Sequence, residues 1–423
     1  MNSSTRRGFL KIACGVAGLP LLTPLVRATE LLPRTGTRVV VVGGGFGGAI
    51  AAKTLRLINP KIEVILIERN RSYSALPGAN WTIGGSRRIG ENRLTYDRLE
   101  GNHGVRLIYG EAQVVDAAAK TVVLEAGTLS YDFAIVAPGI GFRVDEIEGY
   151  AAAETPDLFP HAWTSGEEIV VLKRRIEEMK NGGLVVVSLP TPPYRCPQAA
   201  YERVSQIAYY LKQAKPRSKI LVLDASKSSS DLADLFLTGW RRSYGDMIEY
   251  RSSQQVLQID APRSSLRTTS ETLTADVVNL IPPQMAGTLA HRSGLIGEDN
   301  HWCAVDHSSY ESTVAGGIYV LGDACLGDDQ QKSASAANAQ GKACAMHIAG
   351  AIAQRGHQPH FYSNVLYSLL DDKHGASAVT FYRSEGRKSV RVDKGGGVSS
   401  EWSELEGIYA RAWLGSILAE MSS

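Results

Sequence analysis

Four consecutive valines, Val39 to Val42, run directly into the turn Gly43-Gly44-Gly45-Phe46-Gly47-Gly48, then into an alanine-rich amphipathic segment and a second apolar run that ends on Glu68. Strand, tight glycine turn, helix and strand in this order admit very few folds. Gly43 makes the turn, Gly45 lets backbone N–H groups reach a pyrophosphate, and Gly48 lets helix pack closely on strand. The helix start then faces the phosphates, and Glu68, twenty residues after Gly48, is placed to accept hydrogen bonds from ribose hydroxyls. The stretch predicts a Rossmann-like unit that binds a dinucleotide.

A chain of 423 residues with 44% hydrophobic and 21% charged residues has room for two or three domains. A net charge of +2 without runs of like charge gives no reason to expect nucleic acid or an acidic membrane as partner. Five cysteines, none in a CxxC or CxxCH pattern, exclude a disulfide framework, a zinc ribbon and haem attached to this chain. The first 28 residues read as a targeting segment: Arg6-Arg7 precede Gly8-Phe9-Leu10-Lys11, an apolar run from Ile12 to Leu22 too short to span a bilayer, and a small-residue exit at Val26-Arg27-Ala28. The pattern resembles a twin-arginine signal, which exports proteins already folded around a cofactor. A periplasmic protein is expected, with Cys14 removed on cleavage and no transmembrane segment.

Beyond Glu68, the Gly-, Pro-, Asn- and Ser-rich stretch from Tyr73 to Gly85 predicts a loop across the nucleotide face rather than a helix. Strands are expected at Val105–Tyr109, Gln113–Asp116 and Thr121–Leu124, with a domain exit at Tyr131 to Gly139. A second unit follows: a helix over Ile169–Met179, a buried strand over Leu184–Val187, a helix over Tyr201–Lys212 and strands at Lys219–Asp224 and Val277–Ile281. The order repeats that of the first unit, but its turn reads Ser188-Leu189-Pro190-Thr191-Pro192-Pro193-Tyr194-Arg195-Cys196-Pro197. Proline offers no N–H and fixes φ, so this loop cannot wrap a pyrophosphate, and NAD(P)H is not expected as a partner. The chain then returns to the first unit through Gly317 to Ala324, a strand ending in Asp323 at its carboxyl edge, and a helix from about Ser333 to Ile352, whose N-terminus suits negative charge. The tail from Phe361 reads as aromatic and irregular, with a glycine patch at Gly395–Gly397 and a closing helix that includes Trp402, Tyr409 and Trp413.

Several local sequences together resemble the flavoprotein subunit of flavocytochrome c sulfide dehydrogenase: His161-Ala162-Trp163 with Gly166-Glu167, Tyr194-Arg195-Cys196-Pro197 with Tyr201-Glu202-Arg203, and Asn279-Leu280-Ile281-Pro282-Pro283-Gln284. Trp302-Cys303 with Val305-Asp306, Gly322-Asp323-Ala324-Cys325, Lys332-Ser333 with Ala337-Asn338, and Gln340-Gly341-Lys342 extend the resemblance over the rest of the mature chain. It implies an α/β fold of two Rossmann-like domains of the glutathione-reductase type plus a C-terminal α+β interface region. The boundaries would be 35–147 and 286–358 for a discontinuous FAD domain, 148–285 for a second domain without an NAD phosphate loop, and 359–423 for the C-terminal domain. FAD would be held at Gly43, Gly45, Gly48, Glu68, Arg69, Asn80, Gly322, Asp323, Lys332 and Ser333, with Asp323 on a ribityl hydroxyl.

The resemblance also implies oxidation of sulfide or another reduced sulfur compound, with electrons passed to a c-type cytochrome on a separate chain. Two departures bear on that chemistry. The family's redox cysteine pair is halved: Cys196 matches one member, and Leu366 stands where the other falls. The family often attaches FAD through a cysteine in the Tyr73–Gly85 stretch, where this chain has Leu76 and no cysteine, so noncovalent FAD is expected. Cys196 remains the catalytic candidate, its thiolate favoured by Arg195, against the alternative of a packed thiol. Cys303 and Cys325 are expected to be structural, although Cys325 also stands as a substitute partner for Cys196, and Cys344 belongs to the core. Two other readings stay open: a paralogue with a different electron donor, and a flavin-loaded binding or assembly partner of a sulfur-oxidation complex.

Overall fold

A computed structural model describes residues 29–150, 155–164, 166–227, 230–298, 301–356 and 361–423. The expected signal segment at 1–28, with Cys14, lies outside the described residues. The valine run forms β1 (Arg38–Val42), every residue of which is buried. The glycine turn opens α1 (Phe46–Ile58) and leads to β2 (Glu63–Glu68), β3 (Arg106–Tyr109) and β4 (Phe133–Val136). The second unit carries α2 (Gly166–Glu178), β5 (Leu184–Leu189), α3 (Pro197–Ala214), β6 (Lys219–Asp224), α4 (Asp231–Tyr244), β7 (Ile248–Arg251) and β8 (Val277–Leu280). The chain then supplies β9 (Val305–Asp306), β10 (Glu311–Ser312), β11 (Ile318–Val320) and α5 (Ala334–Ile352). It closes with β12 (Phe361–Leu369), β13 (Gly375–Glu385), β14 (Lys388–Val398) and α6 (Glu404–Ser422).

The first sheet has the order β9-β10-β11-β4-β1-β2-β3. Its central strands pair in parallel, β1 with both β2 and β4, and β4 with β11, which arrives only after the whole second unit. Helices α1 and α5 cross on this sheet at glycines: a Cβ on Gly341 would stand 2.5 Å from the Gly47 carbonyl oxygen. The second sheet is parallel throughout, ordered β7-β6-β5-β8. Parallel pairing requires both faces to be covered, which accounts for the unbroken apolar runs in β1, β2, β5 and β6.

Three expectations change. The Tyr73–Gly85 stretch contains a short strand, Ser72–Ser74, and a helical turn, Trp81–Gly84, whose Trp81 is buried. Helix α3 starts four residues before Tyr201, directly after Cys196. The tail is regular: β12, β13 and β14 form an antiparallel meander, Gly395–Gly397 lie inside β14, and Trp402 precedes α6 instead of belonging to it. The meander and α6 close over the first sheet, where the Lys53 ammonium donates to the Glu420 carbonyl at 2.9 Å. Among the described residues, no helix is long and apolar enough to cross a membrane.

Candidate functional site

The glycine turn does what its spacing requires. Gly43 has φ +99°, and a Cβ there would stand 2.3 Å from the Ala137 carbonyl oxygen. A Cβ on Gly48 would stand 1.9 Å from the Gly43 oxygen, so Gly48 serves helix-on-strand packing. Gly45 differs, with its nearest neighbour, the Tyr73 ring, 3.8 Å from where a Cβ would be. No side chain caps the start of α1, which leaves its first N–H groups to face the space in front of the turn. Glu68 accepts from the Gly44 N–H at 2.7 Å and from the Asn70 N–H at 2.9 Å, and a carboxylate with two such bonds keeps lone pairs for further donors.

That space is a cavity of about 880 Å³, within the range of roughly 300–1,000 Å³ typical of ligand sites. Gly43, Gly45, Glu68, Arg69, Gly322 and Asp323 all line it, as do Ser333 at the start of α5 and Cys196. Gly322 turns the chain with φ +74°, and its N–H donates to Gln340 Oε1 at 2.6 Å. Asp323 accepts from Arg195 Nε at 2.6 Å through one oxygen, while its other oxygen is buried without a partner. An unpartnered buried carboxylate oxygen is costly unless a ligand donor meets it. With the bare glycine turn and the uncapped helix start, it fits a dinucleotide bearing a polyhydroxylated linker, as FAD does.

Two of the residues named from sequence act differently. Asn80 spends its whole amide on protein: its N–H groups donate to the Ala199 carbonyl and to Glu202, each at 2.9 Å, and its carbonyl accepts from Arg203 Nε at 3.0 Å. Lys332 turns its ammonium to the Cys325 carbonyl, 3.8 Å from the centroid of the Trp302 ring, and its own carbonyl accepts from the Cys196 N–H at 2.9 Å. Ser333 caps α5 by accepting from the Ala336 N–H at 3.0 Å, and donates to Asn364 at 2.7 Å.

Cys196 is half-buried on the cavity wall, in a left-handed conformation with φ 43°. Burial pushes its thiol up to about 12, and Arg195 offsets this only weakly. Burial thus opposes the expected thiolate more than Arg195 favours it, and Arg195 gives its Nε to Asp323. Leu366 lines the same cavity, so a disulfide partner for Cys196 is missing from its expected place. Cys325 does not replace it, because it is fully buried with Sγ turned to the Val320 carbonyl at 3.0 Å. Cys303 and Cys344 are buried as well.

In the sequence, Tyr201-Glu202-Arg203 carries only the family resemblance. In the structure Glu202 is buried beside the cavity and accepts from Trp81 Nε1 at 2.8 Å, Asn80 at 2.9 Å and the Leu369 N–H at 2.9 Å. Desolvation raises its pKa even so. Arg203 ties together the segments around His161 and Asn279, donating to the His161 carbonyl at 2.8 Å and to Asn279 at 3.3 Å, 4.9 Å from the Trp163 ring centroid. These partners fall within the other quoted matches, a convergence that no local pattern displays.

Comparison with known proteins places these features in context. Residues 169–282 match the family model described as the central part of the sulfide dehydrogenase [flavocytochrome c] flavoprotein chain, and residues 358–421 match its flavin-binding model. Residues 37–181 match the pyridine nucleotide-disulphide oxidoreductase model. The chain is 54% identical over 43 residues, 10% of its length, to 90% of the sulfide dehydrogenase [flavocytochrome c] flavoprotein chain sequence of Chlorobaculum thiosulfatiphilum. It is 27% identical over 184 residues to the sulfide-quinone reductase of Aquifex aeolicus (strain VF5), a match covering 43% of this chain and 41% of that reductase. The crystal structure of the sulfide:quinone oxidoreductase from Aquifex aeolicus superposes with a TM-score of 0.74 at 16% identity over 92% of both chains, a likeness of fold.

Proposed function

From the premise that the chain belongs to the family of flavocytochrome c sulfide dehydrogenase flavoprotein chains, we propose that it is an exported FAD-dependent oxidoreductase that takes electrons from a reduced sulfur compound and passes them to a c-type cytochrome on a separate chain. The observation that carries this reading is the single cavity onto which the glycine turn, the half-free Asp323 carboxylate and Cys196 all open. FAD, when bound, supplies the two-electron acceptor that can discharge one electron at a time.

The residues divide the work. The N–H groups at the start of α1 would take the pyrophosphate, Glu68 the ribose, and Asp323 a ribityl hydroxyl. With Leu76 on the wall and no cysteine in that stretch, FAD is held without a covalent bond. The N-terminus of α5, capped by Ser333, faces the cavity and favours negative charge there. Anaerobic addition of sulfide to the purified protein should bleach the visible flavin band, and the reduced protein should then reduce added c-type cytochrome. An unbleached band would end the sulfide assignment.

A second reading concerns the donor. Leu366 in place of a second thiol and a Cys196 thiol held near 12 both oppose attack on a protein disulfide. They favour a donor that delivers its electrons without such a pair. Bleaching that survives Cys196→Ser supports this reading, and bleaching lost in that variant excludes it.

A further inference from the structure

Arg195 is where the cysteine loop of the second unit meets the first. Its Nε donates to Asp323 at 2.6 Å, its Nη1 to the Trp163 carbonyl at 3.0 Å, and its backbone N–H to Gln284 Oε1 at 2.9 Å. The guanidinium lies against the exit turn of the first unit, since a Cβ on Gly139 would stand 3.4 Å from Nη2. One residue on, the Cys196 N–H is held by the Lys332 carbonyl, and Lys332 precedes the Ser333 cap of α5. Two adjacent residues thus tie the loop to two segments of the first unit that line the cofactor cavity. The Arg195 and Asp323 side chains are only 18% and 14% exposed, so water screens their pairing far less than it screens a surface pair.

Resting on the FAD reading, we infer that Arg195 is a positioning residue that couples cofactor binding to the reactivity of Cys196. Arg195 grips one oxygen of Asp323 and leaves the other free; a cofactor hydroxyl donating to the free oxygen stabilises the same carboxylate orientation that the ion pair needs. Bound cofactor therefore favours the paired arrangement, and the paired arrangement holds the backbone of Cys196 in its left-handed, half-buried place. By linkage the effect runs both ways: fixing the loop strengthens FAD binding by the same factor by which bound FAD favours the fixed loop.

The test measures iodoacetamide alkylation of Cys196 by peptide mass spectrometry, without FAD and at saturating FAD, and takes the ratio of the two rates. Arg195→Gln should bring that ratio down by about tenfold, the middle of the range for coupling between sites, and Arg195→Lys, which keeps a charge on Asp323, should restore most of it. Asp323→Asn should repeat the loss, and it carries the test where circular dichroism shows Arg195→Gln unfolded. A ratio unchanged in a folded variant that still quenches flavin fluorescence overturns the inference alone, because the cofactor then merely covers the thiol. A wild-type chain that quenches no flavin fluorescence overturns the FAD reading and this inference with it.

Discussion

At Cys196 two opposing effects act on one thiol: the guanidinium next along the chain favours the thiolate, the surrounding protein disfavours it, and the balance stands near 12. The unfolded chain releases this proton near 9.0, so above that value the folded state holds it more tightly than the unfolded state does. The stability contributed is complete below about 9 and declines as pH rises toward 12. In protein stripped of cofactor, alkylation of Cys196 should be slow at pH 8 and rise about tenfold per pH unit to pH 11; a plateau below pH 9 would show a thiolate stabilised after all. Glu202 makes a second residue-scale case. Its carboxylate meets three N–H donors, and Glu202→Gln turns an amide donor toward donors already there, so denaturant unfolding should show a loss of about 1–3 kcal/mol. That Arg195 sits beside Cys196 was legible in the sequence; that its Nε is spent on Asp323, 128 positions later, was not.

Among the elements, β1, α1 and β2 could be read directly because glycine spacing and apolar runs leave few alternatives. Strand β12 could not, for a reason visible in its burial. Tyr362, Asn364, Leu366 and Ser368 share the buried face, and the two polar residues among them break the apolar alternation that marks a strand. Asn364 is satisfied by Ser333, and Ser368 accepts from Gln198 at 2.8 Å, partners supplied only by the folded whole. The crossing of α1 and α5 is the element most open to test. Gly341→Ala would press a methyl on the Gly47 carbonyl, at a cost of about 1–3 kcal/mol for overpacking. Both helices begin at the cavity, so the thermal midpoint and the FAD retained on gel filtration should fall together; retention unchanged at a lowered midpoint would separate the crossing from the site.

Across the whole molecule the cavity is a shared wall, with the first unit supplying the turn and Asp323, the second Cys196, and the C-terminal meander Leu366, Tyr367 and Ser368. Returning a thiol to the meander tests that assembly. Under mild oxidation, L366C should lose two titratable thiols by pairing with Cys196, while Cys303, Cys325 and Cys344 react only after unfolding; two reactive thiols that persist would mean that the loop and the meander do not approach. The pairing of β4 with β11 reaches further still. A ribosome has long passed the glycine turn when the partner of β4 emerges, and the meander that completes the wall follows later. The nascent chain therefore owns a phosphate turn well before it owns a compartment, and colour should arrive only once synthesis is done, as a last act that certifies the protein finished.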